Sequence, residues 1–252
     1  MNRRQFVGLL AGSAAGWAVG MPALAARSRV RAVAFDALSI FDSRPIYALV
    51  GRHFPSKGKA LSSVWRTRQS EYLWLRALAG EYADFWQVTE SALVFAARQQ
   101  KLSLTPEVRA ELMEAHRKLD VWPDVRAGIG ALKEAGLSLH LLSNMTRDML
   151  KANIAHAQLD GVFEHVLSTD AVQTYKPDPR AYRLATSALG FRKDEIVFAT
   201  FSGWDAAGAT WYGFPTFWVN RLGRPPEELV AKPAGIGSNL EDLVRFVTSL
   251  RT

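Results

Sequence analysis

A chain of 252 residues without a cysteine has no disulfides, no thiol nucleophile and no cysteine-bound metal. Its 31 lysines and arginines outnumber 24 aspartates and glutamates for a formal charge of +7. The basic residues form no block and stripe no helix, which argues against a nucleic-acid surface and suits a small anionic substrate drawn into a cleft.

Met1-Asn2-Arg3-Arg4-Gln5-Phe6 opens the chain, followed by a weakly apolar run from Val7 to Val19 and by Ala23-Leu24-Ala25. This reads as a twin-arginine signal peptide over residues 1–25, cut after Ala25. The apolar run is too short and too rich in glycine and alanine for a membrane span, which needs about 20 apolar residues. The expectation is export of the folded protein to the periplasm by the twin-arginine machinery. Cleavage removes Arg3 and Arg4 and no acid, so the formal charge falls from +7 to +5.

The remainder suits one α/β domain with an inserted subdomain. Val30–Phe35 is an apolar strand that stops at Asp36, which opens a loop. From Pro45 to about Leu119 only helical spacing is found. Ala60–Ala79 carries Leu61, Val64, Trp65, Tyr72, Leu75 and Leu78 on that period, and Phe85–Ala97 and Pro106–Leu119 continue it. The pattern predicts an all-helical cap over residues 45–119, inserted into a core made of residues 29–44 and 120–252. Past the cap, strands are expected at Leu137–Leu142, His165–Leu167, Glu195–Thr200 and Pro215–Val219. Helices are expected at Pro123–Ala135, Thr146–Ala157, Pro179–Leu189, Ala206–Tyr212 and Leu240–Leu250. Strands alternating with helices imply a parallel sheet with right-handed crossovers.

Four polar clusters lie just beyond strand ends: Asp36, Ser143-Asn144, Lys176, and Ser202 with Asp205. A parallel sheet brings such positions to one edge, where its ligands bind. The sum is two carboxylates, a cation, and hydroxyl and amide donors around one cleft. Read singly, each has a plainer role: Asp36 as a helix cap, Ser143-Asn144 as a turn, Arg66 as a solvated helix residue. Trp65 and Trp74 fit a core better than a substrate contact. The five histidines lack metal-ligand spacing, and neither metal nor cofactor is expected.

Taken in order, these segments resemble the haloacid dehalogenase superfamily, and most of all its type II L-2-haloacid dehalogenases, over roughly Val30 to Leu250. The resemblance is carried by Phe35-Asp36-Ala37, by Trp65-Arg66 with Glu71-Tyr72-Leu73-Trp74-Leu75-Arg76, and by Leu142-Ser143-Asn144. It continues in Tyr175-Lys176-Pro177-Asp178 with Tyr182, in Trp204-Asp205-Ala206-Ala207-Gly208-Ala209, and in Gly213 to Arg221. It implies a Rossmann-like parallel-sheet core with a helical cap, a homodimer, and metal-independent displacement of halide from an (S)-2-haloacid. Asp36 is then the nucleophile, Lys176 and Asp205 position it and the water, and Arg66 is a partly desolvated halide-binding cation. Ser143 and Asn144 contact carboxylate and halide, Trp204 completes the pocket, and Phe85 is its apolar wall. Tyr182, Ser39, Thr200 and Ser202 complete the implied substrate-binding set.

The chain departs from the family pattern in places. The first motif, Asp36-Ala37-Leu38-Ser39-Ile40-Phe41-Asp42, is one residue short and lacks the usual Gly-Thr pair, so Ser39 is the candidate for the missing hydroxyl. Thr200 stands where a serine is usual, Ser202 where an asparagine is, and Thr67 and Ser70 replace larger substrate-facing residues. Leu38 occupies the position of the second aspartate of the superfamily's phosphatases. A phosphatase-like enzyme and a non-catalytic relative that binds a small carboxylate are the alternatives.

Overall fold

The computed structural model describes residues 30–251; the expected signal peptide lies outside them. Six parallel strands form one sheet in the order β3-β2-β1-β4-β5-β6. They are β1 (Ala32–Phe35), β2 (Ser138–Ser143), β3 (His165–Ser168), β4 (Ile196–Thr200), β5 (Thr216–Val219) and β6 (Gly235–Gly237). Because β1 lies between β2 and β4, the chain changes direction across the sheet at β1. The crevice outside the carboxyl ends of β1, β2 and β4 is therefore the expected ligand site.

Alternation along β1 divides the core between two faces. Val33 and Phe35 join one apolar cluster, Ala32 and Ala34 the other. A one-turn helix α1 (Ala37–Ile40) follows β1 at once, where the sequence suggested a loop. The helical insert then runs through α2 (Arg44–His53), α3 (Gly58–Ala79), α4 (Phe85–Gln99) and α5 (Pro106–Glu114), the last turned by a short 3-10 segment at Ala115–Arg117. Asp84 and Thr105 cap α4 and α5 with their side chains, and Gly80 ends α3 in the left-handed conformation at φ 72°. The face of α3 and α4 that carries Leu61, Trp65, Val88, Ala92 and Leu93 is buried.

The remaining helices are α6 (Val125–Glu134), α7 (Arg147–His156), α8 (Pro179–Leu189), α9 (Gly203–Tyr212) and α10 (Leu240–Ser249). Leu240, Leu243 and Val247 of α10 pack with Val125, Ile129 and Leu132 of α6 in the larger cluster. Tyr182 and Ala185 of α8 and Ala209 of α9 pack in the smaller one. Two elements differ from expectation. The helix α9 starts at Gly203 rather than Ala206, so Trp204 and Asp205 stand on a helical turn. The edge strand β6 was not foreseen: Gly235-Ile236-Gly237 has no strand pattern. A Cβ on Gly235 would meet the Phe217 and Phe246 rings at 2.7 Å, so glycine lets the edge lie against them.

Candidate active site

Asp36 directly follows β1 and is the N-cap of α1. Its backbone N–H donates to Ala199 O at 2.8 Å, tying it to β4. Its carboxylate is held at both oxygens: Leu38 N–H donates to Oδ2 at 3.1 Å and Lys176 Nζ to Oδ1 at 2.8 Å. The cap and nucleophile readings of Asp36 thus coexist, since one oxygen satisfies the helix and the other faces the lysine.

Lys176 arrives from the loop after β3, fixed by its own backbone N–H, which donates to Asn144 Oδ1 at 2.9 Å. Its ammonium bridges to Asp205 Oδ2 at 2.7 Å. Lys176 and Asp205 are each only 1% exposed, so this is one cation shared by two carboxylates out of water. Burial opposes the charge on Lys176, but Asp205 and Asp36 together outweigh it and raise its pKa above the ordinary lysine value. For Asp36, burial is the largest influence and raises its pKa; Lys176 opposes that and the Asp205 charge reinforces it.

Asp205, in the first turn of α9, receives two further hydrogen bonds: Thr200 Oγ1 donates to Oδ2 at 2.6 Å and Tyr182 Oη to Oδ1 at 2.7 Å. Glycine at 208 makes this possible. A Cβ there would lie 2.4 Å from Tyr182 Oη and 2.7 Å from Pro177 Cβ, so only glycine lets α9 approach the lysine loop this closely.

A cavity of about 320 Å³ opens above these groups, between the sheet edge and the cap. Asp36, Lys176, Asp205, Ser143, Asn144, Ser202, Trp204, Phe85 and Arg66 all line it. Ser143 Oγ accepts the Met145 N–H at 3.1 Å. Asn144 Oδ1 is taken by Lys176 N–H, which leaves its amide NH₂ as the end available to a ligand. Trp204 meets Trp74 of the cap edge-on, ring centroids 5.6 Å apart. Trp65, as expected of a core residue, is buried and donates its indole N–H to Thr89 O at 2.9 Å.

Four expectations need correction. Ser39 does not line the cavity: it is buried, and its hydroxyl donates to the Asp36 carbonyl oxygen at 2.6 Å, so it braces the one-turn helix and leaves the carboxylate to the Leu38 N–H. Thr200 and Tyr182 do not line the cavity either; their hydroxyls are spent on Asp205, beneath it. Arg66 lines the cavity but is exposed, stacked over the Tyr47 ring at 5.1 Å, rather than partly desolvated. Sequence reasoning missed Tyr47, Gln69 and Arg224, which also line the cavity. Tyr47 sits on a cap helix with ordinary apolar spacing, and Arg224 in Gly223-Arg224-Pro225-Pro226, which reads only as a turn.

Among the described residues no group of three or more histidines, aspartates and glutamates is placed to hold a metal ion. Of the histidines, His53 and His156 pair with Glu111 and Asp120. His116 and His140 are buried, and burial pushes both down to about 4.

Comparison with known proteins adds to this geometry. A family model described as haloacid dehalogenase-like hydrolase matches residues 24–211. The chain is 40% identical over 205 residues to an (S)-2-haloacid dehalogenase of Pseudomonas sp. (strain YL), covering 81% of this chain and 88% of that one. It is 33% identical over 221 residues to the (S)-2-haloacid dehalogenase of Pseudomonas putida, covering 87% and 97%. Among solved structures it is similar to a crystal structure of an L-2-haloacid dehalogenase at 44% identity and a TM-score of 0.86, covering 87% of this chain and 99% of that one. It is also similar to the L-2-haloacid dehalogenase of Xanthobacter autotrophicus with chloropropionic acid covalently bound, at 32% identity and a TM-score of 0.81, covering 87% and 98%.

Proposed function

Since the chain belongs to the haloacid dehalogenase-like hydrolases, we propose that it is an (S)-2-haloacid dehalogenase in which Asp36 is the nucleophile. The observation that carries this reading is the ammonium of Lys176 held 2.8 Å from Asp36 and 2.7 Å from Asp205 at the floor of the cavity. A carboxylate so fixed needs no proton transfer to attack carbon.

In the first step an Asp36 carboxylate oxygen bonds to C2 of the 2-haloacid as the C2–halogen bond breaks, and the halide leaves with the electron pair. Arg66 and the Asn144 amide take the departing anion, Ser143 helps hold the substrate carboxylate, and Phe85 walls the apolar side. In the second step water attacks the carbonyl carbon of the Asp36 ester and the 2-hydroxy acid departs. One water is consumed, and one halide and one proton are released. Asp205, oriented by Thr200 and Tyr182, and Lys176 position that water. The Lys176 ammonium supplies the positive charge between the carboxylates, which supports a metal-independent reaction. Leu38, which lines the cavity where a second acid would stand, argues against phosphatase chemistry.

Export by the twin-arginine route to the periplasm is part of the proposal, on Arg3, Arg4 and Ala23-Leu24-Ala25. A homodimer is proposed as well; Leu75 and Leu78 of α3 are 59% and 87% exposed and suit a partner surface.

The deciding experiment is a single turnover of (S)-2-chloropropanoate in ¹⁸O-water. The label is expected in Asp36 of the protein and not in the first lactate formed. Label in that lactate would mean direct attack by water and would refute the covalent route. Halide release abolished by a chelator and restored by Mg²⁺ would move the reading to phosphatase-like chemistry.

A further inference from the structure

The strap between β5 and β6 brings to the cavity a cation that the reaction above does not use. Arg224 is held in the strap from both sides by Asn220: the Arg224 N–H donates to Asn220 Oδ1 at 2.9 Å, and Asn220 Nδ2 donates to the Arg224 carbonyl at 2.8 Å. Pro225 and Pro226 stiffen the strap immediately after it. The guanidinium lies 6.0 Å from the Phe201 ring centroid and, among the described residues, makes no ion pair.

Arg66 reaches the same cavity, and it too makes no ion pair among the described residues. The two cations repel. Partial burial first, and then Arg66, hold Arg224 below the ordinary arginine value, while Tyr47 and Glu227 pull the other way. With Asp36 and Asp205 sharing Lys176, the site carries three cations against two carboxylates. A substrate with one carboxylate engages Ser143 at that end and Arg66 and the Asn144 amide through its halogen. Arg224 is then left facing a like charge that Tyr47 and Glu227 offset only in part. Beside Arg66, the cap lines the cavity with the uncharged polar side chains of Ser63, Thr67, Gln69 and Ser70 and with no carboxylate. At about 320 Å³ the cavity is comparable to small-molecule pockets and larger than a three-carbon acid fills.

We propose that Arg224 binds a second carboxylate at the far end of the substrate, so that the preferred substrate is a short 2-halo dicarboxylate of the halosuccinate type. This rests on the dehalogenase reading above. The bonds made and broken are the same, from Asp36 oxygen to C2 and from C2 to halogen, and the second carboxylate takes no part in them. Its contribution is to binding, and it appears in KM more than in kcat.

The test compares three substrates of the full enzyme by halide release: (S)-2-chloropropanoate, 2-chlorosuccinate, and the latter's monomethyl ester at the carboxylate remote from chlorine. Wild type is expected to favour the diacid over the monoacid in kcat/KM by about tenfold or more, as a charge-assisted contact supplies. The ester should lose that advantage, and added salt should erode it because Arg224 is exposed. Arg224→Ala should collapse the diacid-to-monoacid ratio through KM, and Arg224→Lys should retain part of it. The proposal is overturned if wild type shows no diacid preference while releasing halide from the monoacid. It is overturned also if the ester matches the diacid, or if Arg224→Ala lowers both substrates by the same factor. No halide from any of the three would refute the dehalogenase reading itself, and this inference with it.

Discussion

At the scale of the residue, the chemistry turns on how one ammonium divides its charge. Burial raises the pKa of Asp36, Asp205 adds to the rise, and Lys176 opposes it. The nucleophilic form is the ionised one, so activity falls as pH drops through this raised value. We therefore expect the acid limb of the kcat/KM profile to lie above the ordinary aspartate value of about 3.9. Replacing Lys176 by methionine removes the lowering influence and should move any residual limb further toward neutral pH. A limb at or below the ordinary value, measured on slowly and rapidly reacting haloacids alike, would contradict the assignment. Stability carries the same sign. A raised folded-state pKa at Asp36 contributes stability that is complete below the unfolded value and is lost as pH rises through the folded one. Lys176, also raised, contributes stability that persists through neutral pH and is lost only in strong alkali. The nucleophile alone is thus slightly unfavourable to the fold at neutral pH, and the lysine offsets it.

At the scale of the element, the site depends on how closely α9 approaches the lysine loop. Gly208 lies one helical turn from Asp205, against Tyr182 and Pro177. Gly208→Ala puts a methyl group where Tyr182 Oη and Pro177 Cβ now stand. One of the two must move, and both lead to the triad: Tyr182 through Asp205, Pro177 through Lys176. We expect a loss of stability of about 1–3 kcal/mol, the usual cost of overpacking. We also expect kcat to fall about tenfold or more, because a shift of a fraction of an ångström suffices for that at a reacting centre. Thermal melts and steady-state halide release measure the two separately, and an unchanged kcat with a lowered melting point would mean that the triad tolerates the shift. The same element explains why Thr200 and Tyr182 read as pocket residues in sequence. Both belong to the right motifs, but only the packing of α8 and α9 shows their hydroxyls aimed at Asp205.

At the scale of the whole molecule, hydrogen bonds beyond the cavity also join cap and core. Tyr82, just past the end of α3, donates its hydroxyl to Asp170, and Tyr175, next to the lysine, donates to the Ala83 carbonyl. The turn into α4, and hence Phe85, is therefore referenced to the loop that carries Lys176. The proposed export concerns the molecule as a unit, since the twin-arginine route carries folded proteins. Arg3→Lys with Arg4→Lys should leave the precursor in the cytoplasm, scored by fractionation and immunoblot. A normal periplasmic yield from that pair would refute the route.

Much of this architecture was legible in the residues. The alternation of apolar strands with helices ending at glycine announced the parallel sheet, and the unbroken helical period between Pro45 and Leu119 announced the cap. Asp36, Lys176 and Asp205 were legible because strand ends in a parallel sheet converge, a consequence of topology that local pattern already implies. The fine roles were not. Ser39 and Thr200 carry the same hydroxyl whether they face a cavity or a buried acceptor, and only the fold decides which. Arg66 has one helical address whether solvated or enclosed. Arg224 reaches the cavity through a strap tied at Asn220, about 190 residues from Asp36 in the chain. No local period encodes a contact of that kind, because it depends on where two distant segments come to rest against each other.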